Sequence, residues 1–431
     1  MAALSRSNSI HEWMSFIEHI SSKEIELSLD RVLQVYKNLN IKQNFSVVMV
    51  AGTNGKGSTC AFLESIYHHS KYKVACYSSP HFFIFNERIR VNKIPCSDAV
   101  IVDALFKINE ARNDIPLTFF EMTTLAAILI FANEDIDIAI MEIGLGGRLD
   151  AVNILNPDAS IITSISLDHQ EFLGNSLDKI FREKSGIFRS NKNAVINFKS
   201  DEEFLNKFRI NSSAIVSELE TDYKIVESTS GIDFIGQNIN FLNLPKPSLN
   251  GKKQLQNLSG ALHIVEILIK KYPITEEVLK KAIRQTNITG RLQIIKNKPL
   301  VILDVAHNEE SAESLNQFFK EKRQIGKVRC VFSLLSDKNI IDITKQFIDY
   351  VDEWYISKLK TNRACKTEEI ISKLTEQRKD VIIKSFKTTQ EAFLAAYKSS
   401  TVDDNILAFG SFFIVSEILE NTSICQIQKI Q

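Results

Sequence analysis

Phe45-Ser46-Val47-Val48-Met49-Val50-Ala51-Gly52-Thr53-Asn54-Gly55-Lys56-Gly57-Ser58-Thr59 is the stretch on which the fold turns. The apolar, β-branched run at 45–50 predicts a buried strand. A turn carrying Gly52, Gly55, Gly57 and one lysine follows, and 60–69 reads as helix. Glycines let the backbone turn tightly so that several N–H groups point inward, and the helix N-terminus adds partial positive charge. That is a phosphate cradle. Lys56 reaches toward the outer phosphates, and Ser58 or Thr59 suits a place near Mg²⁺. The order is unusual, because Gly57 separates the lysine from the hydroxyls. A plain strand-to-helix turn with no ligand is the alternative. Against it, strand, glycines, lysine, hydroxyls and helix all come in the order that binding ATP requires.

The chain has 431 residues, enough for two or three domains. Hydrophobic residues make up 44%, which allows real cores. Lys+Arg and Asp+Glu both number 52, so no basic excess marks a nucleic-acid binder. The six cysteines are scattered with no C-x-x-C pair, which fits a reduced, cytoplasmic protein without a disulfide frame or structural zinc. Residues 1–12 lack an apolar signal core. The most apolar helix, 123–132, is shorter than the roughly 20 residues that span a bilayer, so no membrane partner is expected.

Strand and helix patterns alternate for most of the length, which predicts α/β domains built on mostly parallel sheets. Helices are expected at 10–20, 29–39, 97–112, 119–132, 176–185, 254–271 and 275–286, and strands at 73–78, 136–142, 159–164 and 194–198. From 213 to 250 the period drops toward two, with turn residues between, and predicts a small antiparallel β satellite. A second series, with strands at 300–305, 328–334, 353–357, 381–384 and 405–409, predicts a Rossmann-like C-terminal domain. The expected division is 1–288 for the P-loop-type ATPase domain and 289–431 for the second. Ligands of open parallel sheets sit at the carboxyl ends of strands.

Several polar residues fall at such ends. Glu142 closes 136–141 and opens Ile143-Gly144-Leu145-Gly146-Gly147-Arg148-Leu149-Asp150. A carboxylate there, beside a phosphate loop, is placed to ligate Mg²⁺, or is an ordinary strand-end acid. His169, in Leu167-Asp168-His169-Gln170, is a metal ligand or a substrate positioner, or else a structural ring as a lone histidine more often is, and its place at a strand end beside Asp168 speaks for function. Lys184 has nothing in its local sequence to separate it from any solvated lysine. Arg291 and Asp304, near the domain junction, suit either closure over a nucleotide or helix capping through Asn308. Ser78-Ser79-Pro80-His81 with Phe85-Asn86-Glu87-Arg88-Ile89 brings hydroxyls and an arginine to a further strand end, or simply makes a turn around Pro80.

Taken in order, G-T-N-G-K-G-S-T at 52–59, Y-S-S-P-H at 77–81, N-E-R-I at 86–89, E-I-G-L-G-G-R-L-D-A at 142–151, S-L-D-H at 166–169, R-E-K-S-G-I-F-R at 182–189, G-R-L-Q at 290–293 and D-V-A-H-N at 304–308 resemble the folylpolyglutamate synthases of the Mur ligase superfamily. The likeness is greatest to the bacterial form that is also a dihydrofolate synthase, and it runs from about residue 10 to 420. The resemblance implies that Thr53, Asn54, Gly55, Lys56, Gly57 and Ser58 hold the ATP phosphates. It implies Ser79, Glu142, His169 and Lys184 as Mg²⁺ ligands, Lys184 as a carbamate. Asn257, Arg291 and Asp304 are implied at the nucleotide and His307 on the glutamate side. For the pterin substrate it implies His19, Ile20, Ser21 and Ser22, then Thr118, Phe119, Phe120 and Glu121, and then Leu149, Asp150 and Ala151. The segment 117–121 is close to that of enzymes accepting dihydropteroate.

The implied reaction joins L-glutamate to dihydropteroate and to tetrahydrofolate through an acyl phosphate, with Lys56 and Mg²⁺ neutralising the charge of two meeting anions. Lys56, His169, Lys184 and His307 are the expected catalytic groups, and the chain is expected to act as a monomer. The alternative within the family is a folate-extending enzyme only. A P-loop NTPase that hydrolyses ATP for movement lacks the D-V-A-H-N domain and uses the ordinary G-K-[ST] order. A cell-wall Mur ligase needs a UDP-sugar domain before the phosphate loop, where about 45 residues stand here. A non-catalytic binding protein has no need to keep Lys56, Glu142, His169, Lys184 and Asp304 together.

Overall fold

Ser46–Ala51 forms β1, and all six of its residues are buried. The computed structural model describes residues 4–21, 25–200 and 213–420. Two compact units emerge, Met1–Ser248 with Gln254–Thr286, and Leu249–Lys253 with Asn287–Gln431.

In the first unit β1 lies inside an eight-stranded sheet. The other strands are β2 (Val74–Tyr77), β3 (Ile89–Val91), β4 (Ile94–Pro95), β5 (Ile138–Glu142), β6 (Ala159–Ile162), β7 (Asn193–Ile196) and β8 (Ile215–Glu218). Their order is β4-β3-β2-β5-β1-β6-β7-β8. All neighbours from β2 to β8 pair in parallel, and β3 and β4 add an antiparallel edge. The chain leaves β1 for β2 on one side, and passes from β5 to β6 across β1. The order therefore reverses at β1, and a crevice opens at its carboxyl end. Register puts Val50 opposite Glu142 and Ala51 opposite Ile162, so the ends of β5 and β6 border it.

Alternation along the strands sends Val47, Met49, Ala51, Ala75, Tyr77, Ala139 and Met141 to one face, against helices Ile10–Ile20, Asp30–Asn38, Asp98–Ala111 and Phe119–Asn133. Helix Phe119–Asn133 is apolar nearly all round and buried through most of its length, as the sequence predicts for a core helix. Trp13 is fully buried in this cluster. Helix Lys56–His69 packs against β1, β2 and β5.

The satellite is smaller than its sequence pattern suggests. Three strands, β9 (Lys224–Glu227), β10 (Ile232–Ile235) and β11 (Asn240–Leu244), form it in antiparallel order. Ile215–Glu218 instead extends the main sheet beside β7. An edge strand with one wet face alternates like an antiparallel one, which hides the difference in sequence.

The second unit carries a six-stranded sheet, β12-β13-β17-β14-β15-β16. These strands are β12 (Gln293–Asn297), β13 (Leu300–Leu303), β14 (Val328–Phe332), β15 (Glu353–Ser357), β16 (Ile382–Phe386) and β17 (Asn405–Phe409). All pairs are parallel except β12 with β13. A cluster including Phe319, Phe332, Phe347, Trp354 and Phe409 packs its core.

Candidate active site

The turn after β1 is held by the residues that follow β6. Thr53 N donates to Ser164 O at 3.0 Å. Asn54 N donates to Ser164 Oγ at 2.9 Å, and Thr163 Oγ1 donates to Asn54 O at 2.6 Å. Gly52 has φ +152°, and a Cβ there would overlap Thr163 Oγ1. Gly55, at φ +87°, caps helix Lys56–His69, and a Cβ on it would overlap Asn257 Oδ1. Asn257 thus lies against the loop, from helix Lys252–Leu268. The buried Thr59 Oγ1 and Ser166 Oγ find no hydrogen-bond partner among the described residues. Ser166 is tied to the loop through its backbone, whose N–H donates to Thr53 Oγ1 at 3.1 Å. A left-handed backbone and a collision together predict that Gly52→Ala destabilises the first unit by at least about 2 kcal/mol. Chemical denaturation measures this, and a change below a few tenths would disprove the close approach.

Two lysines converge on one carbonyl. Lys56 Nζ donates to Gly52 O at 3.0 Å and Thr53 O at 3.3 Å. Lys184 Nζ donates to the same Gly52 O at 3.0 Å. Helix Leu177–Ser185 places Lys184. Ser176 caps it, and Ile180, Phe181 and Lys184 form its buried face. Arg148 N donates to Glu183 O at 2.7 Å, so the 142–151 loop grips the end of that helix. Burial, then the nearby Lys56, push the Lys184 amine down to about 7, against the pull of Asp168 and Asp150.

Glu142 is buried and its Oε2 accepts from Ser79 N at 3.2 Å, which joins the ends of β5 and β2. His169 sits at φ +47°, with its N–H donating to Asp168 Oδ1 at 2.8 Å. Asp150 Oδ2 accepts from Leu145 N at 2.9 Å and Oδ1 from Val152 N at 3.0 Å, so its carboxylate shapes the glycine-rich loop. Burial raises that carboxyl to about 6, with the Leu145, Val152 and Gly144 amides opposing. Leu149 is half-buried, and Ala151 is buried in the main core. Among the described residues no three His, Cys, Asp or Glu side chains form a closed metal cluster. Mg²⁺ needs none, because it is commonly held by one or two carboxylates with hydroxyl, water and phosphate oxygens. Glu142 and Ser79 beside a phosphate loop with unfilled hydroxyls fit that donor set.

Of the pterin segments, Thr118 and Glu121 hold each other. Thr118 N donates to Glu121 Oε2 at 2.7 Å, a capping box for helix Phe119–Asn133. Arg31 Nη2 pairs with Glu121 Oε1 at 3.0 Å. Phe119 and Phe120 leave their rings half-buried, with Phe120 and Tyr77 at 5.9 Å. His19 and Ile20 end helix Ile10–Ile20, and Ser21 is its C-cap. Ser22 lies outside the described residues. In the second unit Asp304 directly follows β13. Its Oδ2 accepts from Leu292 N and its Oδ1 from Ala306 N, both at 2.7 Å, which ties 290–292 to 304–306. Burial lifts this carboxyl to about 6, opposed first by Arg291. Arg291 lies 5.4 Å above the Phe412 ring, and His307 Nδ1 meets Val305 O at 2.8 Å. Asn308 caps helix Glu309–Lys322.

Thr163, Ser164 and Ser166 were not among the expected site residues, although they clamp the loop. Their signal is small hydroxyl residues at and just past the end of the strand expected at 159–164. Arg88, noted in the sequence only as an arginine at a strand end and given no role, donates from Nε to His81 Nδ1 at 2.9 Å. Burial, and then Arg88, push His81 down to about 4, so the ring is neutral and accepts.

Two family models match the chain, the Mur ligase middle domain over residues 50–265 and the Mur ligase glutamate ligase domain over 290–412. A dihydrofolate synthase/folylpolyglutamate synthase of Buchnera aphidicola is 37% identical over 419 residues, covering 96% of this chain and 95% of that one. Escherichia coli FolC, solved in complex with DHPP and ADP, is 33% identical, with a TM-score of 0.92 over 98% of this chain and 100% of that one. A bifunctional folylpolyglutamate synthase/dihydrofolate synthase solved with Mn, AMPPNP and L-glutamate is 32% identical, with a TM-score of 0.88 over 97% and 98% of the two chains. With the strand order, the doubly clamped phosphate loop and this likeness along nearly its whole length, the chain belongs to the dihydrofolate synthase/folylpolyglutamate synthase family of Mur ligases.

Proposed function

We propose that the chain is an ATP-dependent amide ligase that adds L-glutamate to dihydropteroate, giving dihydrofolate, and to tetrahydrofolate, giving polyglutamates. The observation that carries this reading is the pair Lys56 and Lys184 on Gly52 O, at the mouth of a phosphate loop flanked by Glu142 and Ser79. A relative of the same fold has been solved in complex with ADP and DHPP.

The acceptor carboxylate attacks the γ-phosphorus of ATP, and ADP leaves with the bridging electron pair. The glutamate amine then attacks the acyl carbon of the resulting acyl phosphate, loses a proton, and phosphate departs. Residues 55–58 present backbone N–H groups to the phosphates, Thr53 and Asn54 shape the loop, and Lys56 offsets charge where two anions meet. Ser79, Glu142, His169 and a carbamate on Lys184 are the residues that would hold Mg²⁺, which when bound supplies further charge neutralisation at the transferring phosphoryl group. Asn257, Arg291 and Asp304 are assigned to the nucleotide and His307 to glutamate. Phe119 and Phe120 are the half-exposed faces offered to a flat ring, with Leu149, Asp150, Ala151 and the end of helix Ile10–Ile20 as the other pterin segments. No described helix is long and apolar enough to cross a membrane, and the reading includes a monomer working in the cytoplasm.

The test is ATP-dependent incorporation of labelled L-glutamate with dihydropteroate and, separately, with tetrahydrofolate. Product from both acceptors is expected. Product from tetrahydrofolate alone would restrict the chain to folate extension. ADP release with neither acceptor glutamylated would overturn the reading.

A further inference from the structure

Arg88 stands at the carboxyl end of β2, because its carbonyl accepts from Ser78 N at 3.0 Å. The next residue, Ser79, is bonded to Glu142. The guanidinium lies 5.9 Å from the Phe85 ring centre and 5.5 Å from that of Phe119. These two rings meet edge to face at 6.1 Å. The Nε is taken by His81. Among the described residues, Nη1 and Nη2 make no hydrogen bond and no carboxylate lies within ion-pair distance of Arg88, Glu142 and Glu87 acting on it only from farther off. Its sequence neighbour Glu87 is already occupied, accepting from Phe82 N and Phe83 N at 2.8 Å and Ile84 N at 2.9 Å. Arg90, two residues on, is filled by contrast, with Glu64 at 2.8 Å.

A half-buried guanidinium held on aromatic faces, with its terminal fork open, is a cation missing its anion. The fork matches a planar carboxylate in geometry. The nucleotide phosphates have their own cradle and lysine, whereas this site is walled by aromatic rings. An aromatic ring carrying a carboxylate fits both features. We propose that Arg88 binds the reacting carboxylate of the acceptor, with His81 as the positioning residue that fixes its fork. The proposal rests on the ligase reading above. One carboxylate oxygen stays on Arg88 while the other forms the bond to the γ-phosphorus. The bond from that phosphorus to the bridging oxygen breaks, ADP takes the electron pair, and no proton moves. The oxygen left on Arg88 is then the carbonyl oxygen on which negative charge grows when glutamate attacks.

The test is equilibrium calorimetry on the full chain with two ligands, dihydropteroate and the same pterin with aniline in place of aminobenzoate. Wild type should prefer the carboxylate by about ten- to a hundredfold, as one charge-assisted pair supplies. Arg88→Gln should bring the ratio near one while leaving the aniline ligand's affinity unchanged. His81→Ala should lose part of the ratio, and His81→Gln, whose amide oxygen accepts from Nε, should restore it. A ratio retained in Arg88→Gln overturns the Arg88 assignment alone. A wild type indifferent to the carboxylate overturns the acceptor reading and this proposal with it. Should Arg88→Gln bind neither ligand, Arg88→Met, which keeps the apolar contact to both rings, decides between a lost ratio and a retained one.

Discussion

Lys56→Ala should lower kcat/KM for glutamate ligation by about a thousandfold with either acceptor. The lysine is fixed over its own loop by Gly52 O and Thr53 O, so its charge is in place before any ligand arrives. In the first step an anionic carboxylate approaches an anionic phosphate. A unit charge about 4 Å from the developing charge, at an effective dielectric near 20, is worth about 4 kcal/mol, which is roughly three powers of ten in rate. Arginine at 56 is not expected to restore the rate, because a planar fork cannot fold back on the two carbonyls as an ammonium does. Steady-state kinetics, paired with calorimetric ADP affinity, separates lost binding from lost chemistry. A fall of less than about tenfold would remove Lys56 from the reaction.

Lys184→Ala should cost at least about a hundredfold, with part of the activity recovered by a short carboxylate added to the medium. Two ammonium groups on one carbonyl oxygen repel, and Lys56 is accordingly among the causes lowering the Lys184 amine to about 7. At neutral pH roughly half of such an amine is unprotonated, against roughly one in three thousand for a lysine at its ordinary 10.5. Such a neutral amine would attack CO₂, forming a carbamate and releasing one proton, and repulsion from Lys56 would become attraction. The sign of the pH effect follows, since the neutral fraction grows as pH rises through about 7. Enzyme stripped of CO₂ should regain activity faster at pH 8 than at pH 6 when both are held at the same dissolved CO₂, and intact-mass measurement should show one added CO₂. Equal recovery at both values, or near-normal activity in Lys184→Ala, would remove the carbamate from this site.

Local pattern was enough to read much of this molecule. A buried strand, glycines that alone tolerate the required backbone, and a helix start are neighbours in the chain, so residues 45–59 declare the phosphate loop by themselves. Glu142 is legible for a similar reason, because an apolar run ending in an acid marks a strand end. The parallel α/β class followed from alternating patterns whose periods are properties of short segments.

Other features depend on distant parts of the chain. Lys184 has an unremarkable helical sequence, and only packing 132 residues away from Gly52 buries its amine and lowers its proton affinity. Thr163 and Ser164 clamp the loop from across β1, a neighbour relation set by strand order. Ile215–Glu218 shows the same limit, since alternation reports one wet face but not which sheet the strand joins. Among the described residues Glu64 pairs with Arg90 and no carboxylate pairs with Arg88, a difference their neighbouring places in the chain do not announce. Sequence by itself determined most of the long elements, the phosphate loop and the family. Tertiary structure alone decided which charges are paired, buried or left open, because desolvation and pairing arise from groups far apart in the chain that the fold brings within bonding distance.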